Sequence, residues 1–534
     1  MSGGAAPAAA APAVPAPPAA QNIPWLGLAG VLLGTFISTL TSRLSTFGLA
    51  DVRGALHAGF DEGAWITTAF TVAQMLVTPF AVWVGAVYGP RQILIASALV
   101  FAGASFLLPF SQNLDIFLGL QFIAGLSSGT FIPLTLSFVL RSMPPRLWAY
   151  GVALYALNLE LSLNISASLE GFYVDHLSWH WIFWQNVPLA LGMAGCLYWG
   201  VQHQPPTNDI HWDPFGLTAC GVGFALLYAA LDQGNRLDWL NSGLICGLLL
   251  AGGIMLTAFV IHEVTAPYPW LDPQVPLRWP LPLLLVLISI LRLTIQSTAV
   301  LIPYYLGGVR GFRALEIGGT LIWIAMPQLL ICVFAAWMLR RFDARFTAGL
   351  GMCLVGVACM MVAWTLTPGW GSDQFLVSQL LQALGQSLAL SGVVFTAVLN
   401  LRLQDALSFG ATLQIARLFG GEVGAALITT WDRVREQRAS NLIGLHVQKG
   451  ALDVQHRLGA YQHVLIPRGH PPMAAPAVLD RVVRVMATTQ ASIDGFVLVA
   501  AVAALGLILF VLIVPRPPQG PASHEPMFRR KRGP

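Results

Sequence analysis

The sequence predicts an all-α integral membrane protein with about fourteen transmembrane helices, and three observations carry that prediction. Apolar residues make up 56% of the 534 positions and charged residues 10%, with a mean hydropathy of +0.68, which describes a chain whose solvent is lipid. Apolar windows long enough for a hydrocarbon core of about 30 Å recur from end to end. The arginines are unevenly shared between alternate connections. With the first residue in the cytoplasm, the inner connections and the C-terminal stretch carry Arg91, Arg141, Arg146, Arg278, Arg340, Arg341, Arg345, Arg402, Arg516, Arg529, Arg530, Lys531 and Arg532. The short outer loops carry only Arg53, Arg236, Arg310 and Arg313. This bias follows the positive-inside rule and places both ends in the cytoplasm.

Taken in order, the expected spans are 24–50, 65–88, 92–110, 116–140, 148–173, 181–201, 214–231, 242–261, 281–305, 315–338, 347–367, 375–399, 407–430 and 495–514. Ahead of them, residues 1–22 form an Ala/Pro-rich stretch with neither the basic start nor the Leu-rich core of a secretory signal, and it is expected to be a disordered tail. Between the last two spans lies a polar insertion, 431–492, whose helical periodicity predicts a small outer helical hairpin. Residues 516–534 are a basic cytoplasmic tail.

Composition also excludes several functions. A net charge of +4 without a dense basic face argues against nucleic acid as a partner. No Walker-type glycine loop is present, so this chain is not expected to hydrolyse ATP. The six cysteines lie in apolar segments without metal-ligand spacing. With no nucleophile–base pair, metal cluster or cofactor loop, neither an enzyme nor a resident cofactor is expected.

A charge at the centre of a span costs about 2.5–3.5 kcal/mol on insertion scales, so the intramembrane charges are the functional leads. They are Arg43 in span one, Glu160 and Glu170 in span five, Arg292 in span nine, and Arg417 with Glu422 in span thirteen. Span five reads "YALNLELSLNISASLEGFYVD"; Glu160, Asn164 and Ser168 form one stripe, flanked by Asn158, Ser162 and Ser166. Such a stripe must face protein or a water-filled cavity. Glu160, at mid-depth, is the candidate proton-coupling residue, because a carboxylate there can take up and release a proton; the alternative is a structural pair with Arg43, Arg292 or Arg417. Arg292 can bind the carboxylate or phosphate of a substrate, or form an inter-helix salt bridge. Arg43, Asn158, Asn164, Arg292 and Gln296 are the candidate substrate-cavity residues, and Arg417, Glu422 and Glu170 complete the charge network. For Arg417 and Glu422 the favoured reading is pairing along their own helix, and for Glu170 a structural or gating role near the outer surface.

Several stretches resemble one family. "HLSWHWIFWQNVPLALG" at 176–192 is similar to the fifth-to-sixth span junction of fourteen-span drug:proton antiporters of the EmrB and QacA type, in the major facilitator superfamily. "GAWITTAFTVAQMLVTPF" resembles their second span, "LDQGNRLDW" their outer loop after the seventh, and "ATLQIARLFGGEVGAALITT" their thirteenth. The likeness covers about residues 25–515. It implies the major facilitator fold, with a six-helix bundle at 23–201, two inserted helices at 202–280 and a second six-helix bundle at 281–515 that includes the outer hairpin.

The family's chemical motifs are altered. Thr41-Ser42-Arg43 stands where the first span usually has an Asp, "GAVYGPRQ" keeps only Gly89 and Arg91 of the loop motif, and Gln121 replaces an Arg before Gly125. Ser166, Ala167, Glu170 and Gly171 stand where the antiporter signature places Gly-Pro and a paired Gly. The resemblance implies a secondary transporter of the cell (inner) membrane, an exporter with the proton gradient as energy source, and the arginines at cavity depth tilt the expected substrate toward small amphipathic or anionic compounds. It also implies, as for some relatives, a periplasmic adaptor and an outer-membrane channel as partners. Uniport or import of organic anions, and a non-transporting membrane receptor, are the alternatives.

Overall fold

Apolar runs bounded by Gly, Pro, Asn or Asp become long helices. The computed structural model describes residues 25–202, 212–267, 270–271, 277–401, 405–448, 450–468, 471 and 474–513. The expected tails at 1–22 and 516–534, and Arg402, lie outside the described residues. Fourteen long helices follow one another: α1 (Trp25–Phe47), α2 (Trp65–Tyr88), α3 (Pro90–Leu107), α4 (Leu114–Ser142), α5 (Trp148–His176), α6 (Asn186–Gly200) and α7 (Pro214–Gly234). They continue with α8 (Gly243–Thr265), α9 (Leu281–Arg310), α10 (Ala314–Arg341), α11 (Ala344–Thr365), α12 (Leu376–Leu399), α13 (Ala406–Gly444) and α14 (Ala474–Ile513). No strand occurs among the described residues. The starts are legible locally: Asn113 caps α4 by accepting from the Asp115 N–H at 2.9 Å, and Asp213 caps α7 from Gly216 at 3.0 Å, with Pro214 at the first helical position.

Among the described residues, twelve helices are long and apolar enough to cross a membrane. The other two are α6, only 15 residues long because Trp181–Trp184 forms a separate turn before it, and α13, which carries Arg417, Glu422 and a polar extension. Both pack within the bundle, α6 against α1 and α3, α13 against α9 and α14.

In the first half α1 packs on α4, α5 and α6, and α2 and α3 pack on α4. In the second, α9, α11 and α13 contact α14, while α10 and α11 contact α12. The inserted α7 and α8 pair with each other, and α7 lies against both α2 and α13. The halves meet where α5 faces α10 and α12, and where α13 faces α2 and α4. We call the end where α1 starts the near face and the other the far face. An apolar cluster fills the near half between the two halves, with Ile132, Leu136 and Leu140 of α4 packed against Leu284, Leu287 and Phe409.

Close crossings depend on glycine. A Cβ at Gly125 of α4 would collide with the Phe70 carbonyl oxygen of α2 and lie 2.8 Å from the Ala73 Cβ. Gly125→Val is therefore expected to destabilise the first half by about 1–3 kcal/mol, read as a lower melting temperature of the detergent-purified protein. An unchanged melting temperature would show that α2 and α4 can separate without cost.

The outer hairpin differs from its expectation. Span thirteen does not stop at residue 430; α13 runs on to Gly444, and α14 begins at Ala474, about twenty residues before the apolar run. Leu452–Leu465 packs as a helix on this extension of α14. The polar segment prolongs the span helices because no proline or terminal glycine interrupts α13 at the apolar boundary. Arg435 reaches Asp494 at 3.6 Å between the two extensions, and Arg433 donates to the Asn235 carbonyl at 3.1 Å in the α7–α8 connection.

Candidate functional site

A cavity of about 250 Å³ lies between the halves, walled by α1, α2, α7, α9 and α13 with Leu163 of α5. Its lining runs from Ser38 and Gln74 at mid-depth to Thr46 and Thr67 near the far ends of their helices and Thr429 near the far end of the apolar part of α13. The apolar cluster described above closes it towards the near face.

Three arginines meet at this cavity although they are far apart in sequence. Arg43 donates to the Gln296 side-chain oxygen at 3.4 Å, across the two halves, and Gln296 donates to the Gly421 carbonyl at 2.6 Å. Arg417 is 3% exposed; its Nε donates to Gln414 at 3.0 Å and its Nη1 to Thr39 at 3.5 Å. Arg292 is 6% exposed, and its Nε and Nη1 have no hydrogen-bond partner. It faces Arg417 and Arg43 as like charges and Glu160 as an opposite one. A planar guanidinium with free donors beside a cavity is a receptor for a carboxylate or phosphate.

Near Gln296, α9 departs from regular geometry: two π-helical stretches, Ser297–Leu301 and Leu306–Arg310, flank Pro303. Such widened turns open the helix wall and recur at functional positions.

The Glu160 side chain does not line the cavity. It is fully buried behind it, between α5, α10 and α12, where its Oε2 accepts from Gln328 at 3.3 Å and Ser387 at 3.2 Å. Its Oε1 has no partner, and it forms no ion pair with Arg43, Arg292 or Arg417. The alternative of a structural ion pair is thus absent among the described residues, and Glu160 meets Arg292 only at longer electrostatic range.

The architecture has relatives. The model of the Major Facilitator Superfamily matches residues 31–429. The chain belongs to this superfamily. It is 27% identical over 423 residues to "Probable multidrug resistance protein EmrY" of Escherichia coli (strain K12), covering 78% of this chain and 82% of that one. "Multidrug export protein EmrB" of Haemophilus influenzae is 25% identical over 399 residues, covering 74% and 78%. "Fatty acid resistance protein FarB" of Neisseria gonorrhoeae is 24% identical over 411 residues, covering 75% and 79%. Among solved structures, the proton:xylose symporter XylE aligns with a TM-score of 0.56 at 11% identity, over 92% of this chain and 96% of that one. The human organic anion transporter MFSD10 aligns with 0.55 at 13%, over 91% and 98%. The protein is a multi-pass membrane transporter of the major facilitator fold, similar to multidrug exporters.

In this transporter the remaining expected residues fall in three places. Asn164 donates to Gln328 at 3.3 Å and Gln386 at 3.5 Å, and Ser168 donates to the Gly318 carbonyl at 2.8 Å. The polar stripe of α5 therefore faces α10 and α12, and Asn164 is a bundle-interface residue rather than a cavity one. Asn158 bonds back to the Leu154 carbonyl at 2.8 Å and also lies outside the lining. Glu170 is buried at the far face against Gly48 and near Asp51 and Asp175; the close crossing at its position is made by the next residue, Gly171, against Leu315 of α10. Arg417 and Glu422 do not pair along α13, since five residues turn their side chains well apart on a helix.

Sequence reasoning watched charges and so missed the glutamines. Gln379, Gln382 and Gln386 recur on one face of α12, and Gln382 donates to Ser297 at 3.2 Å while Gln386 donates to Thr298 at 3.4 Å. Their i, i+3, i+7 spacing is a readable signal. Tyr228 and Asp232 of α7, both in the cavity wall, were also missed: Tyr228 carries no charge, and Asp232 lies just past the apolar window that ended at 231.

Proposed function

We propose that the transporter is a proton-coupled exporter of small anionic or amphipathic compounds in the bacterial inner membrane, with both termini cytoplasmic. The observation that carries this reading is Arg292, buried at the cavity with two donors unpartnered and no ion pair among the described residues. An anion entering the cavity satisfies those donors and relieves the repulsion among Arg292, Arg43 and Arg417. The similarity to a fatty acid resistance protein, FarB, is consistent, since a fatty acid is an amphipathic anion.

Alternating access follows from the two halves, which we assign to 23–201 and 281–515, with 202–280 supplying the inserted helices. Rocking them would unpack the near-half cluster and close the far-face opening. Glu160 lies at the interface of α5 with α10 and α12, and is the proposed proton carrier: neutralising it changes the field on Arg292 and so the grip on the anion. The paired extensions of α13 and α14 offer a contact for a periplasmic adaptor serving an outer-membrane channel.

The test is Glu160→Gln in proteoliposomes with an imposed pH gradient. Amide replacement keeps the Gln328 and Ser387 neighbours but holds no exchangeable charge. Gradient-driven export of fluorescent organic acids is expected to vanish while downhill exchange persists. Gradient-driven export equal to that of the parent would remove Glu160 from coupling, and flux independent of the gradient in the parent itself would favour uniport.

A further inference from the structure

The floor of the cavity covers donors that the open site does not use. Arg292 and Arg417 are the deepest residues of the lining, each about 16 Å from the near end of its helix. Two further polar side chains lie about 10–12 Å from the near ends of theirs, below the floor and outside the lining: Tyr155 of α5 and Gln414 of α13. Both are 0% exposed. The Tyr155 hydroxyl and Gln414 Nε2 have no hydrogen-bond partner among the described residues. Which end of the Gln414 amide is the nitrogen is set by its neighbour, since Oε1 accepts from Arg417 Nε at 3.0 Å.

These donors adjoin the free ones above them. Tyr155 faces both Arg417 and Arg292. Arg292 lies over Gly421, where a Cβ would stand 3.7 Å from its Nε, so α13 presents no side chain to the guanidinium there. Tyr155 belongs to the first half, and Arg292 and Gln414 to the second. The surroundings are otherwise apolar: Tyr155 is a member of the cluster, with Leu136, Leu287 and Leu413, that closes the near half. A buried donor left without a partner costs about 1–3 kcal/mol. A phenylalanine at 155 would fill the same space without that cost. The hydroxyl therefore weakens the closed near half, and it gains a partner only when the halves part.

We infer that Tyr155 and Gln414 are a loading subsite for the substrate's carboxylate, covered while the cavity is open to the far face and uncovered when the near face opens. In the near-open state the Tyr155 hydroxyl, Gln414 Nε2 and Arg292 donate to the carboxylate oxygens, and the parted leucines receive the apolar body of the same molecule. Rocking back packs the leucines together, withdraws Tyr155 and Gln414, and leaves the anion to the arginines of the far-open cavity. The grip is then stronger where the compound is captured than where it is released. The substrate class this selects is a carboxylate joined to an apolar body. The inference rests on the anion-export reading and adds to it the residues that read the anion at the near face.

Counterflow in membrane vesicles without an ion gradient reads the two faces separately. With excess unlabelled compound inside, the half-saturating concentration belongs to the face that is outside: the near face in inside-out vesicles, the far face in right-side-out ones. The probes are radiolabelled p-aminohippurate and naphthylacetate, both aromatic carboxylates. Tyr155→Phe removes a hydroxyl without a partner, and is expected to raise the near-face value about tenfold while the far-face value stays, which also shows that the variant is folded. Gln414→Glu keeps the oxygen that Arg417 uses and turns the free donor into a charged acceptor, so it should raise the near-face value further. Arg292→Gln should raise both values. Near-face values unchanged in both Tyr155→Phe and Gln414→Glu, as expected if these donors only bind water, or values raised equally at the two faces, overturn the subsite alone. No counterflow of either probe by the parent, or no effect of Arg292→Gln at either face, overturns the anion-export reading and the subsite with it.

Discussion

Replacing Arg292 by glutamine lowers the apparent affinity for anionic substrates by about 10- to 100-fold, the equivalent of one charge-assisted hydrogen-bonded contact of about 1.5–3 kcal/mol. The expectation follows from geometry. Arg292 is 6% exposed, lines the cavity and keeps two donors free, whereas Arg417 spends its donors on Gln414 and Thr39 and Arg43 on Gln296. Glutamine retains polarity and some length but neither the charge nor the planar fork. Arg292→Lys keeps the charge without the fork and should fall between the two. Concentration-dependent uptake of fluorescent organic acids into inside-out vesicles measures the effect, with a neutral or cationic dye as the reference. A loss shared equally by the cationic dye would show that Arg292 supports the bundle and does not read substrate charge.

The second large effect is expected from Gly410→Val. Gly410 of α13 crosses α4 so closely that a Cβ would stand 2.6 Å from the Pro133 carbonyl oxygen, a backbone atom that cannot swing away. This crossing joins the two halves beside the near-half apolar cluster. Valine there forces α4 and α13 apart at a cost of about 1–3 kcal/mol, enough to move the near-face equilibrium by about 5- to 100-fold towards open. Ser137, one turn below Pro133 on the same face of α4 and buried, is the reporter position. In a cysteine-free background, Ser137→Cys should react faster with a membrane-impermeant thiol reagent from the near face when Gly410→Val is present. Unchanged labelling of a monodisperse variant would mean that the seal lies elsewhere.

Much of the scaffold was legible before any coordinates. The apolar runs anticipated thirteen of the helix starts to within a few residues, and the polar stripe marked α5 as a helix that turns one face away from lipid. Local signals sufficed because hydrocarbon forbids unsatisfied backbone groups, so every crossing must be a helix of bilayer length. The polar extension of α13 and α14 was harder, since helical periodicity continues across a change in solvent that hydropathy reads as a boundary.

The candidate site divides along the same line. The expectation that Arg43, Arg292, Arg417 and Glu422 are functional leads comes from sequence alone, because the bilayer makes an intramembrane charge costly wherever it points. Which of them meet was decided only by tertiary structure. A helix repeats every 3.6 residues, and a rotation of a fraction of a turn moves a side chain from cavity to bundle interface. That rotation, set by glycine crossings such as Gly171 on Leu315 and Gly410 on Pro133, sends Glu160 and Asn164 to the glutamines of α10 and α12. It also brings Asp232, from a helix the family pattern treats as an insertion, to the same cavity as Glu422. The sequence determined the cost of each charge; the packing of backbones at contact distance decided its partner.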